Sequence, residues 1–422
     1  MSKLSIKRIS GYEVLASGGY PTLEVEVELE NGKTGVASVP YGASAGSREA
    51  TVLNDEDKSR YGGKGVLKAI NHVEKTIAPK VVGMDGEDQR SLDETMIKLD
   101  GTENKAKLGG NTILAVSLAN ARAVAASKKK ELYQHIVDTF ETNPDYSKLP
   151  QPMVVVIEGG KHADETTDLQ EYCISGLGNG SPRENIRKVL ESYHQLKKVL
   201  KSHKLSTNVG NEGAFAPNGI PTNESPFEYM LQAVKEAGYE AGKDVGFSID
   251  AAASEFYQDG KYHLSIEDKF LTAKELINYY KSWFEKYPIA TVEDLLDEND
   301  WDNWVELKKV TDSFDIPLIG DDLTVTNKKY LQKAIDMDAI SAILIKLNQI
   351  GSLTETVDTC MLAKKHGMMN VPSHRGGGET NDTAMVDLAV AVNGSFIKVG
   401  PTRGERVSKY NRLMEIERLV QK

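Results

Sequence analysis

The sequence predicts an α/β protein in two parts: an α+β domain over residues 1–135 and a (β/α)8 barrel over residues 151–422, joined by a linker at 136–150. Three observations carry this. Short β-branched runs recur through the second part, and each ends at a polar residue able to do chemistry. The last six of those polar positions, Asp250, Glu293, Asp321, Lys346, His374 and Lys398, follow one another at intervals of 24 to 43 residues. A strand, a crossover helix and the next strand need about 30 residues. Ahead of these runs the pattern is different, with an alternating strand first and helices after it.

In the first part, Leu23, Val25, Val27 and Leu29 alternate with Glu24, Glu26, Glu28 and Glu30, the period of a half-buried strand. Asn31-Gly32 turns the chain, and Thr34, Val36 and Ser38 return as the second arm of a hairpin. Val66, Ile70, Val73 and Ile77 recur at helical spacing, and Pro79 is expected to close that helix. Ile113 to Ala126 reads as a second helix with Lys128 to Lys130 at its C-terminus. Asn143-Pro144 and Leu149-Pro150 mark the linker.

In the second part, Val154–Ile157 runs into Glu158-Gly159-Gly160, Val245–Ile249 into Asp250, and Ile289–Val292 into Glu293-Asp294. Ile316–Ile319 leads to Asp321-Asp322, Ile343–Ile345 to Lys346, Met369–Val371 to His374-Arg375, and Phe396-Ile397 to Lys398. Parallel strands with reactive groups at their C-terminal ends describe a barrel whose active site lies at that face. One carboxylate after one strand is ordinary helix capping. Three acids, two lysines and a histidine, each ending a different strand, converge on one cavity. Hard divalent cations prefer carboxylate oxygens, so Asp250, Glu293 and Asp321 form a metal site. A lysine beside a metal and a second cation has a depressed pKa and can serve as a base. The chemistry indicated is proton abstraction next to a carboxylate, with a metal bearing the developing charge.

The chain resembles the enolase family over about 21–417. The resemblance rests on Gly42-Ala43-Ser44, on Leu99-Asp100-Gly101-Thr102-Glu103-Asn104-Lys105 and on Gly210-Asn211-Glu212-Gly213-Ala214-Phe215-Ala216-Pro217-Asn218. It continues through Ser254-Glu255-Phe256-Tyr257, Asp321-Asp322-Leu323-Thr324-Val325-Thr326-Asn327, Lys346-Leu347-Asn348-Gln349-Ile350-Gly351, Ser373-His374-Arg375 and Lys409-Tyr410-Asn411. It implies a barrel capped by the α+β domain, and a Mg²⁺-dependent hydro-lyase interconverting 2-phosphoglycerate and phosphoenolpyruvate. Asp250, Glu293 and Asp321 would bind the tighter Mg²⁺. Lys346 would take the C2 proton, and Glu212, supported by Glu171, would protonate the departing hydroxyl. Lys398 would neutralise the substrate carboxylate, and His162, Gln170, His374 and Arg375 would surround phosphate and hydroxyl. Gly159-Gly160 would give a closing loop. A homodimer, or an octamer of four such dimers, is implied.

Several residues depart from the family pattern at the site. Tyr41 stands where the family's serine binds the second Mg²⁺, keeping the carbonyl but not the small hydroxyl. Glu158 and Glu165 replace two asparagines of the phosphate loop, Asn211 an aspartate and Ala214 a glycine. Gly376, in a Gly376-Gly377-Gly378 run one residue longer than usual, replaces a phosphate-binding serine. Gly18 and Tyr20 replace an arginine and an asparagine. A carboxylate about 5 Å from the phosphate would cost about 3 kcal/mol at an effective dielectric near 20, more than a hundredfold in affinity. The alternative is that both glutamates point away, onto Lys161 or another local cation. The departures leave two other functions open: a paralogue acting on a different carboxylic acid, and a weakly catalytic surface protein that binds plasminogen through lysines such as Lys422.

Composition narrows the classes further. With 62 acidic against 51 basic residues the net charge is −11, which disfavours binding to nucleic acid. No apolar run approaches the roughly 20 residues that span a bilayer, so no membrane partner is expected. The N-terminus has no signal-peptide core, and two cysteines, Cys173 and Cys360, form no disulfide framework; the expected compartment is the cytoplasm. Gly176-Leu177-Gly178-Asn179-Gly180 reads as a loop, the lysines at 197, 198 and 201 as a solvated helix face, and Trp301 and Trp304 as packing.

Overall fold

The computed structural model describes residues 2–421 apart from 43–45, 47, 165 and 179, so Glu165 and Lys422 lie outside the described residues. Strands β1 (Ile6–Leu15), β2 (Pro21–Leu29) and β3 (Thr34–Ser38) form an antiparallel meander. Leu23, Val25, Val27 and Leu29 are fully buried, as their alternation requires. On β3 the inward positions are Gly35 and Ala37, while Val36 is 39 % exposed beside the glutamates. Gly35 lets the helix Gly110–Ser127 lie directly on the sheet: a Cβ there would stand 2.2 Å from the Ala119 carbonyl oxygen.

Pro79 does not end its helix. The helical segment runs from 67 to 81, with a π turn at Val73–Ile77 just ahead of the proline. A proline inside a helix lacks an N–H and clashes with the carbonyl four residues back; the wider turn relieves both.

The helix Leu132–Phe140 runs across residue 135, and the barrel begins at β4 (Gln151–Glu158). It continues with β5 (Glu171–Gly176), β6 (Val245–Asp250), β7 (Ile289–Glu293), β8 (Leu318–Gly320), β9 (Ala342–Ile345), β10 (Met369–Pro372) and β11 (Phe396–Val399). The sheet order is β10-β9-β8-β7-β6-β5-β4-β11, and a bridge between Ser373 and Lys398 closes the ring. The expected all-parallel barrel needs one correction: β5 runs antiparallel to both neighbours. The twelve-residue 159–170 connection is at the lower limit for a crossover and holds only a 3-10 turn, Gly160–His162, and β4 and β5 pair as a hairpin. Glu171 therefore starts its strand on the same rim where Glu158 and Asp250 end theirs, and it is in register with both.

Alternation along β4 splits the core. Met153 and Val155 point into the barrel with Cys173, Leu344 and Val371, while Val154 and Val156 pack outward under the helices. The α+β domain is fastened over the rim by Arg122 to Asp382 and by Asp93, which accepts the Thr354 N–H at 3.0 Å. Trp304 is buried with Nε1 donating to the Asp297 carbonyl, Cys360 is buried, and the lysines at 197, 198 and 201 are exposed. Among the described residues no helix is long and apolar enough to cross a membrane.

Candidate active site

Three adjacent strands, β6, β7 and β8, deliver Asp250, Glu293 and Asp321 to one side of the rim. Lys398, on β11 across the ring, reaches all the way to them. Its Nζ lies 2.9 Å from Asp250 Oδ2, 2.7 Å from Glu293 Oε1 and 2.8 Å from Glu171 Oε2. Burial alone would drive this amine down, but the carboxylates hold it well above the usual lysine range. Lys346, after β9, pairs with Asp321 Oδ2, and Gln349 Nε2 holds Asp321 Oδ1 at 2.8 Å. Burial would lower Lys346 too, and the Asp321 charge raises it above its ordinary value.

The acidic side is over-supplied with charge. Asp294 takes a left-handed backbone, φ 44°, and its carboxylate accepts the N–H groups of Asp321 at 2.9 Å and Asp322 at 2.7 Å, shaping the turn after β8. Burial, followed by neighbouring carboxylates, pushes Asp294 and Glu293 well above the usual range and Asp322 to about 8. Such raised values report unbalanced buried anions, and all the donors are hard oxygens. A small divalent cation fits this donor set: Asp294, Asp321 and Asp322 bring carboxylate oxygens within 4.8 Å of one another.

The opposite side carries Glu212 between two imidazoles. His162 Nδ1 lies 3.4 Å from Glu212 Oε1 and 3.2 Å from Glu171 Oε1, while His374 Nε2 lies 3.1 Å from Glu212 Oε2. Burial would raise Glu212, but the two histidines outweigh it and hold the carboxylate well below its usual range. Burial would lower His162, yet Glu171 and Glu212 bring it up to about 9. Gln170, Arg375 and Gly376 also line this cleft, which the crossing side chains nearly fill, leaving a cavity of about 40 Å³.

Arg375 is gripped by Glu49 from the α+β domain, with its two terminal nitrogens 3.1 and 3.2 Å from Glu49 Oε1. Glu158 points away from the cleft. Its Oε1 accepts the Glu212 N–H at 3.2 Å and the Ala214 N–H at 3.0 Å, and burial, reinforced by Glu212, raises its carboxyl to about 8. Lys161 pairs with Glu255, not with Glu158. Tyr41 forms a bridge with Gly378, its N–H donating to the Gly378 carbonyl at 3.0 Å and its carbonyl accepting the Gly378 N–H at 2.9 Å. A Cβ on Gly378 would meet the Tyr41 ring at 2.1 Å, and one on Gly18 would come within 3.2 Å of the phenol oxygen. The Tyr41 ring lines an adjoining cavity with Pro21, Val52 and Lys64, outside the acidic cleft.

A family model described as the enolase N-terminal domain matches residues 6–136, and one described as the enolase C-terminal TIM barrel domain matches residues 146–422. The chain belongs to the enolase family. Membership makes it a lyase of the enolase superfamily, a family that is typically Mg²⁺-dependent, and the acidic cluster of Asp294, Asp321 and Asp322 could hold a metal. Within this enolase-family site, sequence reasoning passed over Glu49, Asp294, Asp322 and Gln349 as site residues. The doubled acids Glu293-Asp294 and Asp321-Asp322 were a readable signal for two of them. Glu49 and Gln349 carry none, because each acts only through a partner distant in the chain.

Proposed function

We propose that this protein is a Mg²⁺-dependent hydro-lyase that reversibly dehydrates 2-phospho-D-glycerate to phosphoenolpyruvate, working in the cytoplasm as a homodimer or higher assembly. The observation that carries the reading is the placement of Lys346 opposite the Glu212 group. Lys346 follows β9 and Glu171 begins β5, four strands away in either direction around a ring of eight. A substrate in the cleft then presents its C2 proton to Lys346 and its C3 hydroxyl to Glu212, on opposite faces.

Lys346 Nζ takes the C2 proton, the C2–H electron pair becomes the C2–C3 double bond, and the C3 hydroxyl leaves as water. The proton for that water passes through Glu212, with His162 and His374 close enough to resupply it. A cation held by Asp250, Glu293 and Asp321 would supply Lewis-acid charge beside the substrate carboxylate and would relieve Lys346 of the Asp321 charge that holds its proton. Lys398 and Arg375 neutralise the anionic ends of the substrate. The orientation of Glu158 supports a phosphorylated substrate: it faces backbone N–H groups, and at pH 7 its carboxyl is mostly neutral.

The test is the ultraviolet absorbance of phosphoenolpyruvate as purified protein meets 2-phosphoglycerate across a Mg²⁺ titration. Turnover supports the proposal, and turnover confined to high Mg²⁺ assigns a weakened second-metal site to Tyr41. Silence from folded protein overturns it in favour of the paralogue acting on another carboxylic acid. The Glu49–Arg375 pair and the absent hydroxyl at Gly376 favour that second reading.

A further inference from the structure

We propose that a bound water joins Asn348 to His374 behind the acidic cleft, and that Asn348 is a positioning residue that keeps the His374 ring proton on Nε2. Lys346 and Gln349 face the cleft, where both hold Asp321. Asn348 belongs to the helical turn Leu347–Ile350, and each residue turns a helix by about 100°. Its side chain therefore faces elsewhere, into a cavity of about 30 Å³ that it lines with Leu114, Leu118, His374 and Met385. One water needs about 10–15 Å³, so one or two fit. Two nitrogens of these residues, Asn348 Nδ2 and His374 Nδ1, are shielded from solvent and make no hydrogen bond among the described residues. The charged residues lining the same cavity are already paired, Glu379 with Lys409, Asp382 with Arg122 and Arg375 with Glu49.

A buried nitrogen without a partner is costly, and a small polar cavity is where a folded chain keeps water. An amide nitrogen such as Asn348 Nδ2 only donates, so the water accepts from it and turns an O–H toward His374 Nδ1. Nδ1 is then the acceptor, and the ring proton stays on Nε2. Nε2 lies 3.1 Å from Glu212 Oε2, which makes His374 a donor to that carboxylate. With the proton on Nδ1 instead, two lone pairs would face each other across that contact. The water and the tautomer rest on the cavity and the two unpaired nitrogens; their effect on turnover also rests on the role proposed for Glu212.

The test is NMR of the protein labelled with ¹⁵N at histidine, in Mg²⁺ at about pH 8, above the ordinary imidazole range. The His374 ring signals are identified by their loss in His374→Gln. The expected result is Nε2 in the range of a protonated ring nitrogen and Nδ1 in that of an unprotonated acceptor. Asn348→Asp offers the water an acceptor in place of a donor, so it should turn the water round and move the proton to Nδ1. Its kcat for 2-phosphoglycerate should fall by about tenfold or more, with KM nearly unchanged. Asn348→Leu keeps the volume and removes the donor; it should leave a mixture of the two tautomers, and it reads the same point if the buried carboxylate prevents folding. Nδ1 protonated in the parent, or the parent spectrum retained in both variants, would overturn the proposal. The expected spectra from protein that does not turn over 2-phosphoglycerate would support the water and remove the substrate reading alone.

Discussion

Lys398 Nζ lies 2.7 Å from Glu293 Oε1 although the two residues sit on strands diametrically opposite in the barrel. The lysine crosses the mouth and places its charge among carboxylates that a divalent cation would otherwise neutralise. Two buried carboxylates without a partner are strongly destabilising, and breaking such a pair costs about 3–5 kcal/mol. Lys398→Met is therefore expected to lower the melting temperature of chelator-treated protein, and Mg²⁺ should restore much of the loss. Thermal unfolding with and without Mg²⁺ checks this; a variant as stable as the parent in chelator would contradict it.

Lys346 and Glu212 separate the two halves of the proposed reaction. Lys346→Ala should abolish exchange of the C2 proton with solvent, whereas Glu212→Gln should retain exchange and lose elimination by about 10²–10⁴-fold. Deuterium exchange followed by NMR reads both. Retained exchange in the lysine variant would show that another group is the base.

Glu158 becomes charged as pH rises through about 8. Its carboxyl is neutral below that value and anionic above it, so an anionic substrate should bind less well above pH 8. Glu158→Gln removes this loss, and its KM profile should be flatter than the parent's between pH 7 and 9. Parallel KM profiles in the two proteins would show that the carboxylate does not sense the substrate.

Tyr41 and Gly378 form one contact and should be coupled. Gly378→Ala puts a methyl into the phenol ring and should destabilise the protein by about 1–3 kcal/mol. In Tyr41→Ser the same change should be nearly neutral. A double-mutant cycle by denaturant unfolding measures the coupling, and additive effects would show that the two residues do not meet.

His135 makes stability depend on acid. Burial, aided by Lys128, lowers it from 6.5 to about 4 in the folded protein. The unfolded chain takes up a proton below pH 6.5 and the folded chain only near 4, so unfolding binds a proton between them. Stability contributed by the neutral ring is full above 6.5 and falls by about 3 kcal/mol on the way to pH 4. His135→Phe should flatten that segment of the stability–pH curve. An unchanged slope would show that the ring is not held neutral.

Much of the barrel was legible because its strands are short apolar runs and its functional side chains end them. Asp250, Glu293, Lys346 and Lys398 could be placed on one rim from spacing alone. The reversed direction of β5 was not, since a hairpin and a crossover begin with the same apolar run and differ only in what the connection can span. Pro79 misled for a related reason: a proline forbids an ordinary turn, but a π turn accommodates it.

What the chain determines by itself, then, is local: alternation that makes β2 half-buried, β-branched runs that become barrel strands, and the chemical types that end them. Tertiary structure decided which of those types meet. Gly18, Tyr41 and Gly378 are three separate departures in the sequence and one contact in space. Glu49 meets Arg375 across 326 positions of chain. Glu158 could have repelled a phosphate, yet the Gly210–Ala214 backbone turned its carboxyl away. Charge and hydrogen bonding act through distance, and distance between residues far apart in sequence exists only once the barrel has closed.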